Sequence, residues 1–327
     1  MPTVLLTGAG GAAVPSLIEH LRARYGFRVI AVDMDPYAAG LFFADQGYVV
    51  PSGKSAQFQP TLLAICQREA VEVVIPLVDE ELLASLSLRE HGIAVILPTA
   101  DFIELCLDKY KLMQALHVAN ISNLPTYLSS SLPAKLEFPL IVKPRTGRGS
   151  VGVKISYSLD ELQKNLANSE YTAEQLIIQP YVRGKEFTVS VVVDGKGSFY
   201  TVVPKEIILK KGITRLAVTR RLERLHDLCH AIQTKFQANG PYNVQLRIDE
   251  KTGQPLIFEI NPRFSTTVSL TIAAGVDEVG GLIQCALGKG WTDNLQNWVE
   301  GKVLVRRQTD FFMEEPDFLA HRAMELN

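Results

Sequence analysis

The stretch LIFEINPRF, residues 256–264, begins like a buried β-strand and ends in a row of polar side chains. Glu259, Asn261 and Arg263 stand two positions apart, and side chains two positions apart on a strand point to the same face. Polar alternation alone is typical of the water-exposed face of a sheet. Here the row combines carboxylate and amide oxygens, which suit a hard cation such as Mg²⁺, with an arginine that suits an anion. The stretch therefore predicts a site for a metal ion and a phosphate-bearing ligand.

The upstream segment YNVQLRID, residues 242–249, predicts the partner strand of a β-hairpin. A three-residue turn at residues 251–253, with Gly253 in the left-handed conformation and Glu250 paired with Gln254, sets the register by counting. The apolar residues of both strands then share one face, and the polar residues share the other. Four cross-strand pairs are predicted: Leu246 with Phe258, Val244 with Ile260, Gln245 with Glu259 and Asn243 with Asn261.

The composition is that of an ordinary globular protein: 327 residues, 47% hydrophobic and 21% charged, with a formal net charge of -2. This length suffices for two or three domains. Near neutrality disfavours nucleic acid or an anionic membrane as the main partner. The cysteines form no CxxC pair, and no segment has the apolar length of a membrane-spanning helix. We expect a soluble, cytoplasmic protein.

The two parts of the chain differ in their pattern of elements. Residues 1–100 alternate apolar strand segments, such as TVLLT at 3–7 and RVIAVDMD at 28–35, with amphipathic helical segments. This alternation is typical of a parallel, doubly wound α/β sheet. After Asn120, strand segments follow one another across tight turns, and DGKG at 194–197 is a strong hairpin signal. The second part is therefore predicted to be α+β with antiparallel strands.

A glycine-rich segment, VKPRTGRGSVGV at residues 142–153, indicates where phosphates bind. Gly147, Gly149 and Gly152 match GxGxxG, but strand segments lie on both sides, and neither a helix start nor a Walker GK[ST] follows. This context favours a flap whose backbone N–H groups close over a triphosphate, with Lys143 reaching the phosphates. The alternative is a mobile surface hairpin with a solvated lysine.

A competing nucleotide signal lies at the N-terminus, in TGAGGAA at residues 7–13. Gly8, Gly10 and Ala13 match GxGxxA after the first strand, and Asp33 ends the second strand. That order is the dinucleotide-binding fingerprint, and it predicts an NAD(P)-dependent oxidoreductase. The alternative is a tight turn that needs glycine for its geometry alone. Both interpretations stay open at this point.

Taken together, these motifs resemble the ATP-grasp superfamily, and in particular the synthetase modules of the carbamoyl-phosphate synthetase large chain and biotin carboxylase. The resemblance covers nearly the whole chain and is carried by LDKYKLMQAL at 107–116, the glycine-rich flap, IIQPYVRGKEFTVSV at 177–191, VQLRID at 244–249 and FEINPRF at 258–264. It implies an ATP-grasp fold with an N-terminal Rossmann-like domain. We expect three units: residues 1–105, a lid with the flap at 106–183, and a metal-binding unit at 184–327.

The resemblance also implies roles for individual residues. Lys109, Lys143, Gly147, Gly149 and Ser150 correspond to groups at the ATP phosphates. The hinge from Gln179 through Tyr181 to Val182 corresponds to the adenine contact, and Glu186 to the acid that holds the ribose. Gln245, Glu259 and Asn261 resemble the ligands of two Mg²⁺ or Mn²⁺ ions. Arg263, together with Asn261, resembles the catalytic groups that stabilise the phosphorylated intermediate.

The implied reaction begins with attack of a carboxylate on the γ-phosphoryl group of ATP, which gives an acyl phosphate and ADP. An amine or a thiol then displaces phosphate. The expected partners are a small carboxylate, with an amino acid as a candidate, and a small nucleophile; a homodimer stays open as an assembly. One module cannot perform the two phosphorylations of full carbamoyl-phosphate synthetase, so we expect a stand-alone ligase. The rivals are the oxidoreductase above and an ATP-binding protein without catalysis.

Four further segments carry weaker signals. HDLCH at 226–230 is interpreted as ordinary helix, because no third zinc ligand accompanies it. The acids of VDEEL at 78–82 are interpreted as offsetting a helix dipole. Lys205, in the segment predicted to contact the acceptor, is a candidate anion contact. The tail segment VLVRRQTDFF at 303–312 completes a sheet or lines the pocket.

Overall fold

The computed structural model describes residues 1–291, 295–307 and 310–322. Its strands form three sheets that follow one another along the chain, a parallel sheet and then two antiparallel ones. The predicted class, α/β followed by α+β, is confirmed. Within the described ranges, no helix combines the length and hydrophobicity that crossing a membrane requires.

The N-terminal sheet is parallel and buried on both faces. Its strands are β1 (Thr3–Thr7), β2 (Arg28–Asp33), β3 (Gln46–Val49), β4 (Val73–Ile75) and β5 (Ala94–Val95). They lie in the order β3-β2-β1-β4-β5, with helices α1 (Val14–Tyr25), α2 (Ala39–Phe43), α3 (Phe58–Arg68) and α4 (Leu82–Leu86) in the connections. The chain reverses its winding between β1 and β4, and α/β sheets bind ligands at the carboxyl edge of such a reversal.

The sequence pattern predicts four strands in this sheet, at TVLLT (3–7), RVIAVDMD (28–35), VEVVIPLV (71–78) and IAVILP (93–98), and misses β3. Its four residues, QGYV, contain a glycine and give little strand propensity. Gly47 is needed for packing rather than for the strand itself. A Cβ atom at Gly47 would lie 2.6 Å from the carbonyl oxygen of Leu41, so α2 can approach β3 only because the side chain is absent.

Two helices connect the N-terminal sheet to the rest of the chain, α5 (Ala100–Leu107) and α6 (Lys109–Val118). Asp108 begins α6 as its N-cap, because its carboxylate accepts the backbone N–H groups of Tyr110 and Lys111. Both helices contribute to the core beneath the largest sheet. The predicted boundary between residues 105 and 106 falls within α5, and the division into three units remains a prediction.

The second sheet is small and antiparallel. Its strands are β6 (Tyr127–Leu128), β7 (Leu140–Pro144), β8 (Lys154–Ser156) and β9 (Leu176–Pro180), in the order β6-β9-β7-β8, with helix α7 (Leu159–Ala167) between β8 and β9. Leu162 of α7 packs on Leu140, Val142 and Ile178 to form a compact core of its own. Residues 145–153 of the glycine-rich segment join β7 to β8 and lie outside this core, as the flap interpretation requires.

The third sheet has six strands: β10 (Gly184–Val193), β11 (Phe199–Lys211), β12 (Ile213–Thr219), β13 (Tyr242–Asp249), β14 (Pro255–Asn261) and β15 (Val303–Val305). Helices α8 (Glu223–Phe236), α9 (Val268–Ala273), α10 (Glu278–Ala286) and α11 (Glu315–Arg322) complete the chain. The strand order is β14-β13-β10-β11-β12-β15. The DGKG hairpin joins β10 to β11 as predicted. Of the two alternatives for the tail segment, the first is confirmed for residues 303–305, because β15 pairs with β12 and extends the sheet. Gln308 and Thr309 of that segment lie outside the described residues.

Three of the four predicted cross-strand pairs of the β13–β14 hairpin are confirmed. Asn243 pairs with Asn261, Val244 with Ile260 and Gln245 with Glu259, but a bulge follows, and Leu246 pairs with Ile257 rather than Phe258. The predicted turn is also wrong, since the backbone N–H of Asp249 donates to the carbonyl oxygen of Gln254 and leaves four residues in the loop. Gly253 is left-handed, as expected, with φ 70°. A bulge places two residues opposite one, so Ile257 enters the core and Phe258 turns to the polar side.

Candidate active site

A deep cleft separates the second sheet from the third, with the glycine-rich flap over it. Most of the residues predicted to bind nucleotide and metal lie along its walls, although they come from four separate stretches of the chain. These are Lys109, Lys143, Gly147, Gly149, Ser150, Gln179, Tyr181, Val182, Glu186, Gln245 and Glu259. Phe258, Arg148, Lys210 and Arg247 also line it and were not predicted as site residues.

Two lysines form the cationic part of the cleft. Lys109 is 7% exposed; its Nζ donates to the carbonyl oxygen of Gly147 at 2.5 Å and lies 3.2 Å from Oε1 of Glu259. The first residue of α6 thus contacts the flap on one side and the predicted metal ligand on the other. Lys143, also 7% exposed, donates to the carbonyl oxygen of Phe258 at 3.2 Å. Burial lowers the pKa of Lys143 to about 8, against the opposing effect of Glu259.

Phe258 is a cleft residue that the sequence placed in the core. The bulge brings its ring to the cleft, where Nζ of Lys143 lies 5.3 Å from the ring centroid. An aromatic face stabilises a neighbouring ammonium group, and it also offers an apolar surface to a base or a sugar. The bulge is therefore a feature of the site, as bulges next to ligand-binding residues commonly are.

The hinge between the second and third sheets carries an unsatisfied acceptor. The side chain of Gln179 is 1% exposed, and its Nε2 donates to Oγ1 of Thr126 at 2.8 Å. Its Oε1 is buried without a hydrogen-bond partner among the described residues. A buried acceptor without a partner costs about 1–3 kcal/mol, so a ligand that donates an N–H there would gain that energy. An exocyclic amino group of adenine fits this requirement.

The predicted ribose acid, Glu186, is already engaged on both oxygens. Nζ of Lys210 lies 3.1 Å from Oε1, and Nη2 of Arg247 lies 2.8 Å from Oε2. Arg247 in turn lies over the ring of Tyr181, 5.7 Å from its centroid. These contacts hold the carboxylate in one orientation at the rim of the cleft. Each oxygen keeps further lone pairs that can accept a hydroxyl group.

The predicted metal ligands occupy neighbouring strands. Gln245 and Glu259 are paired across β13 and β14, and both line the cleft. Asn261 lies two pairs further along, 6% exposed, where its Nδ2 donates to Oδ1 of Asn243 at 3.2 Å. The donor set of one carboxylate and two amide oxygens fits a hard divalent cation. The ammonium group of Lys109 lies against Glu259 in this structure.

Arg263 lies at the junction with the N-terminal sheet rather than in the cleft itself. Its Nε donates to Oδ1 of Asp79 at 2.5 Å, and its Nη1 donates to the carbonyl oxygen of Phe264 at 3.2 Å. A second arginine, Arg148 of the flap, donates through Nε to Oε2 of Glu80 at 2.9 Å. Two acids of VDEEL, Asp79 and Glu80, therefore form ion pairs with arginines, and the prediction that these acids only offset a helix dipole is wrong. They lie in a 3-10 turn, Asp79–Glu81, and two of them pair with arginines from later in the chain.

The third acid of that turn, Glu81, is 5% exposed, and its Oε2 has no hydrogen-bond partner among the described residues. Burial raises its pKa from 4.5 to about 7, helped by the nearby charges of Asp33 and Glu80. A carboxyl group in such a place holds a proton near neutral pH. It lies beside Thr7 at the end of β1, where the sheet reverses its winding.

Lys205 is not brought to the cleft. It is fully buried, with its Nζ 2.6 Å from Oγ of Ser190 and 2.8 Å from Oγ1 of Thr271. These contacts hold α9 to the third sheet. The predicted contact between Lys205 and a bound anion is therefore wrong for the cleft seen here.

In the N-terminal glycine turn, the carboxylate of Asp33 accepts hydrogen bonds from the backbone. Oδ2 of Asp33 accepts the backbone N–H of Gly10 at 2.8 Å, and Oδ1 accepts that of Asp35 at 2.9 Å. Gly8 is left-handed, and a Cβ atom there would lie 2.5 Å from Cγ2 of Val78. These contacts favour the second interpretation, a tight turn that needs glycine for its geometry.

Comparison with known proteins agrees with this fold. Residues 172–309 match the family model described as an ATP-grasp in the biosynthetic pathway with Ter operon, and residues 4–97 match the PylC-like N-terminal domain. The chain thus carries an ATP-grasp family-model domain and a PylC-like N-terminal domain, and the predicted ATP-grasp resemblance is confirmed at that level.

Its curated relatives are carbamoyl phosphate synthases. The large chain from Thermotoga sp. (strain RQ2) is 24% identical over 291 residues, which cover 80% of this chain and 26% of that protein. The carbamoyl-phosphate synthase from Methanobrevibacter smithii is 22% identical over 313 residues, covering 86% and 81%. The chain therefore spans about a quarter of the length of the first of these relatives.

Solved structures share the fold. The biotin carboxylase domain of 2-oxoglutarate carboxylase from Hydrogenobacter thermophilus, determined with MgADP and bicarbonate, has a TM-score of 0.71 at 18% identity, covering 92% of this chain and 73% of that one. N5-carboxyaminoimidazole ribonucleotide synthetase from Thermotoga maritima has a TM-score of 0.66 at 18% identity, covering 91% and 78%.

Proposed function

We propose that this protein is an ATP- and Mg²⁺-dependent ligase that activates a carboxylate as an acyl phosphate and transfers the acyl group to an amine. The observation that carries this proposal is the meeting of Lys109, Lys143, Gln245 and Glu259 in one cleft beneath a glycine-rich flap. Cations for a polyphosphate and oxygens for a metal lie side by side, as phosphoryl transfer requires. The similarity to ATP-grasp proteins supports the type of reaction, and the four cleft residues support where the polyphosphate and the metal ion would bind.

The cleft suggests how ATP would lie. Adenine would enter at the hinge, where Oε1 of Gln179 has no donor among the described residues, and the ribose would lie near Glu186. The triphosphate would then run beneath residues 147–150 toward Lys109 and Lys143. The flap glycines support this, because Gly147 and Gly149 adopt φ 106° and 69° and have open space where a Cβ atom would be. Backbone N–H groups there can turn toward an anion without a steric penalty.

Mg²⁺ would be held by Gln245, Glu259 and Asn261, and it would supply neutralisation of charge on the transferring phosphoryl group. The residues themselves orient the reactants. Lys109, in contact with Glu259, would share that carboxylate with the metal and turn its ammonium group toward the phosphates. A carboxylate oxygen of the substrate then displaces ADP from the γ-phosphorus, and the amine next displaces phosphate from the acyl carbon with loss of its proton.

The carboxylate is a small one, with bicarbonate and amino acids as the first candidates to test. The Hydrogenobacter structure contains bicarbonate, and the curated relatives are named for carbamoyl phosphate. We also propose that the three units of residues 1–105, 106–183 and 184–327 act together, with the acceptor entering from the side of the N-terminal sheet. The contacts of Arg263 and Arg148 with the turn Asp79–Glu81 support that direction.

The test is release of ADP from Mg-ATP in the presence of bicarbonate or single amino acids, with and without ammonium. Glu259→Ala should reduce ADP formation at least ~100-fold, because removing a group that neutralises transition-state charge costs about that much. Glu250→Ala is the matched control, since Glu250 is an exposed acid in the adjacent turn. Undiminished ADP release by the Glu259 variant would refute the assignment of the site.

A further inference from the structure

A single three-residue turn of the N-terminal unit holds two arginines from distant parts of the chain. Asp79 pairs with Arg263, 184 residues later, and Glu80 pairs with Arg148, 68 residues later. Arg148 belongs to the flap and lines the cleft, whereas Arg263 follows the strand that carries Glu259 and Asn261. The turn thus contacts both the cover of the cleft and the end of its metal-binding strand.

The pair of Asp79 with Arg263 is the more shielded of the two. Their side chains are 11% and 12% exposed, whereas Arg148 is 49% exposed and Glu80 is 26% exposed. Shielding from water strengthens an ion pair and holds its geometry, and an exposed pair gains little. The contact of Arg148 with Glu80 is therefore easily exchanged, while that of Arg263 with Asp79 fixes its partner.

The guanidinium group of Arg263 is held on two of its three nitrogens. Nε donates to Asp79, and Nη1 donates to the carbonyl oxygen of Phe264, the next residue. A planar group fixed at two points cannot rotate, so the position of its remaining nitrogen, Nη2, is set by these contacts. Catalytic groups lose much of their effect when they are displaced by about 1 Å.

We infer that Asp79 is a positioning residue for phosphoryl transfer: it fixes the guanidinium group of Arg263, which lies two residues beyond Asn261 at the end of the metal-binding strand and which the sequence resemblance assigns to the charge of the transferring phosphoryl group. This inference rests on the proposed function. Asp79 does not line the cleft and would touch neither nucleotide nor metal. Its hydrogen-bonded partner is Arg263, and through that contact it makes the N-terminal unit a part of the catalytic site.

Neutralising each acid of the turn separately tests the inference. Asp79→Asn keeps the shape of the side chain and removes its charge, and Glu80→Gln does the same one residue along. Thermal unfolding is measured with Mg-ADP, and then with Mg-ADP and aluminium fluoride, which mimics the transferring phosphoryl group. ADP formation from Mg-ATP gives kcat and KM for the same proteins.

Asp79→Asn and Glu80→Gln should affect different measured quantities. Asp79→Asn should keep the shift with Mg-ADP, lose most of the additional shift with aluminium fluoride, and lower kcat roughly 10- to 100-fold with KM for ATP nearly unchanged. Glu80→Gln should change KM for ATP and retain the additional fluoride shift, because Arg148 lines the nucleotide cleft. In an Arg263→Lys background, Asp79→Asn should cause little further loss, since the two residues act as one unit.

The outcomes separate this inference from the proposed function. Absence of any shift with Mg-ADP in the unaltered protein would overturn the proposed function itself. An unaltered protein that binds Mg-ADP but gains nothing from aluminium fluoride would overturn the role of Arg263, and with it that of Asp79. Equal fluoride shifts in Asp79→Asn and the unaltered protein, or equal losses from Asp79→Asn in both arginine backgrounds, would show that Asp79 only joins the units.

Discussion

Replacing Glu81 by glutamine should make the protein more stable at high pH and leave it nearly unchanged at low pH. Glu81 is 5% exposed, and one of its oxygens has no hydrogen-bond partner among the described residues. Burial therefore penalises the charged form and raises its pKa to about 7, against 4.5 for the free side chain. Glutamine has nearly the same shape and carries no charge at any pH.

The size of the effect follows from these two pKa values. Between pH 4.5 and about 7 the folded protein keeps a proton that the unfolded chain releases, so the contribution of Glu81 to stability falls as pH rises. The full contribution is present below 4.5 and is lost above about 7. At about 1.36 kcal/mol per pH unit, the loss amounts to ~3 kcal/mol.

The assay is urea unfolding of both proteins at pH 4.5, 6 and 8. The free energy of unfolding of Glu81→Gln, relative to the unaltered protein, should rise by ~3 kcal/mol between pH 4.5 and pH 8. Glu250→Gln, a change at an exposed acid, should give a difference that does not vary with pH. A constant difference for Glu81→Gln, or one that falls with pH, would refute a protonated Glu81 in the folded state.

Two further predictions concern the third sheet. Gly184→Ala should destabilise the protein by about 2 kcal/mol or more, because Gly184 has φ 139° and a Cβ atom would lie 2.0 Å from the carbonyl oxygen of Ile248. Thermal unfolding measures the loss of stability, and an unchanged unfolding midpoint would contradict the prediction. Ile257→Ala should cost about 2–5 kcal/mol in urea unfolding, since Ile257 is fully buried, whereas Phe258→Ala should cost less stability and raise KM for ATP. A larger stability loss at Phe258 would restore the register predicted from sequence.

The polar pairs of the β13–β14 hairpin could be predicted from sequence because alternation fixes which side chains share a face. Gln245 with Glu259 and Asn243 with Asn261 follow from that rule. The bulge at Phe258 could not, since strict alternation places Phe258 with Leu256 and Ile260 on the apolar face. What decides it is packing of Ile257 beneath the sheet, which no local pattern records.

The contacts between units were also beyond the sequence. Nothing near Asp79 in the chain indicates that Arg263 is its partner, because the pair depends on how the N-terminal sheet meets the third sheet. Lys205 shows the opposite failure. From sequence, a lysine in a strand next to a predicted site is interpreted as a contact for an anion. In the structure, Lys205 is buried and its ammonium group donates to the hydroxyl groups of Ser190 and Thr271. Burial of a charged group inside a polar network is a tertiary property.

The most direct test of the account is thermal unfolding with Mg-ATP, with ATP and EDTA, and with NAD(P)H, measured in parallel. A ligand at a hundred times its dissociation constant adds ~2.7 kcal/mol to the free energy of unfolding, which raises the midpoint by several degrees. The account predicts such a rise with ATP only when Mg²⁺ is present, and none with NAD(P)H. A rise with NAD(P)H and none with Mg-ATP would contradict it, and would assign the nucleotide site to the turn from Gly8 to Ala13.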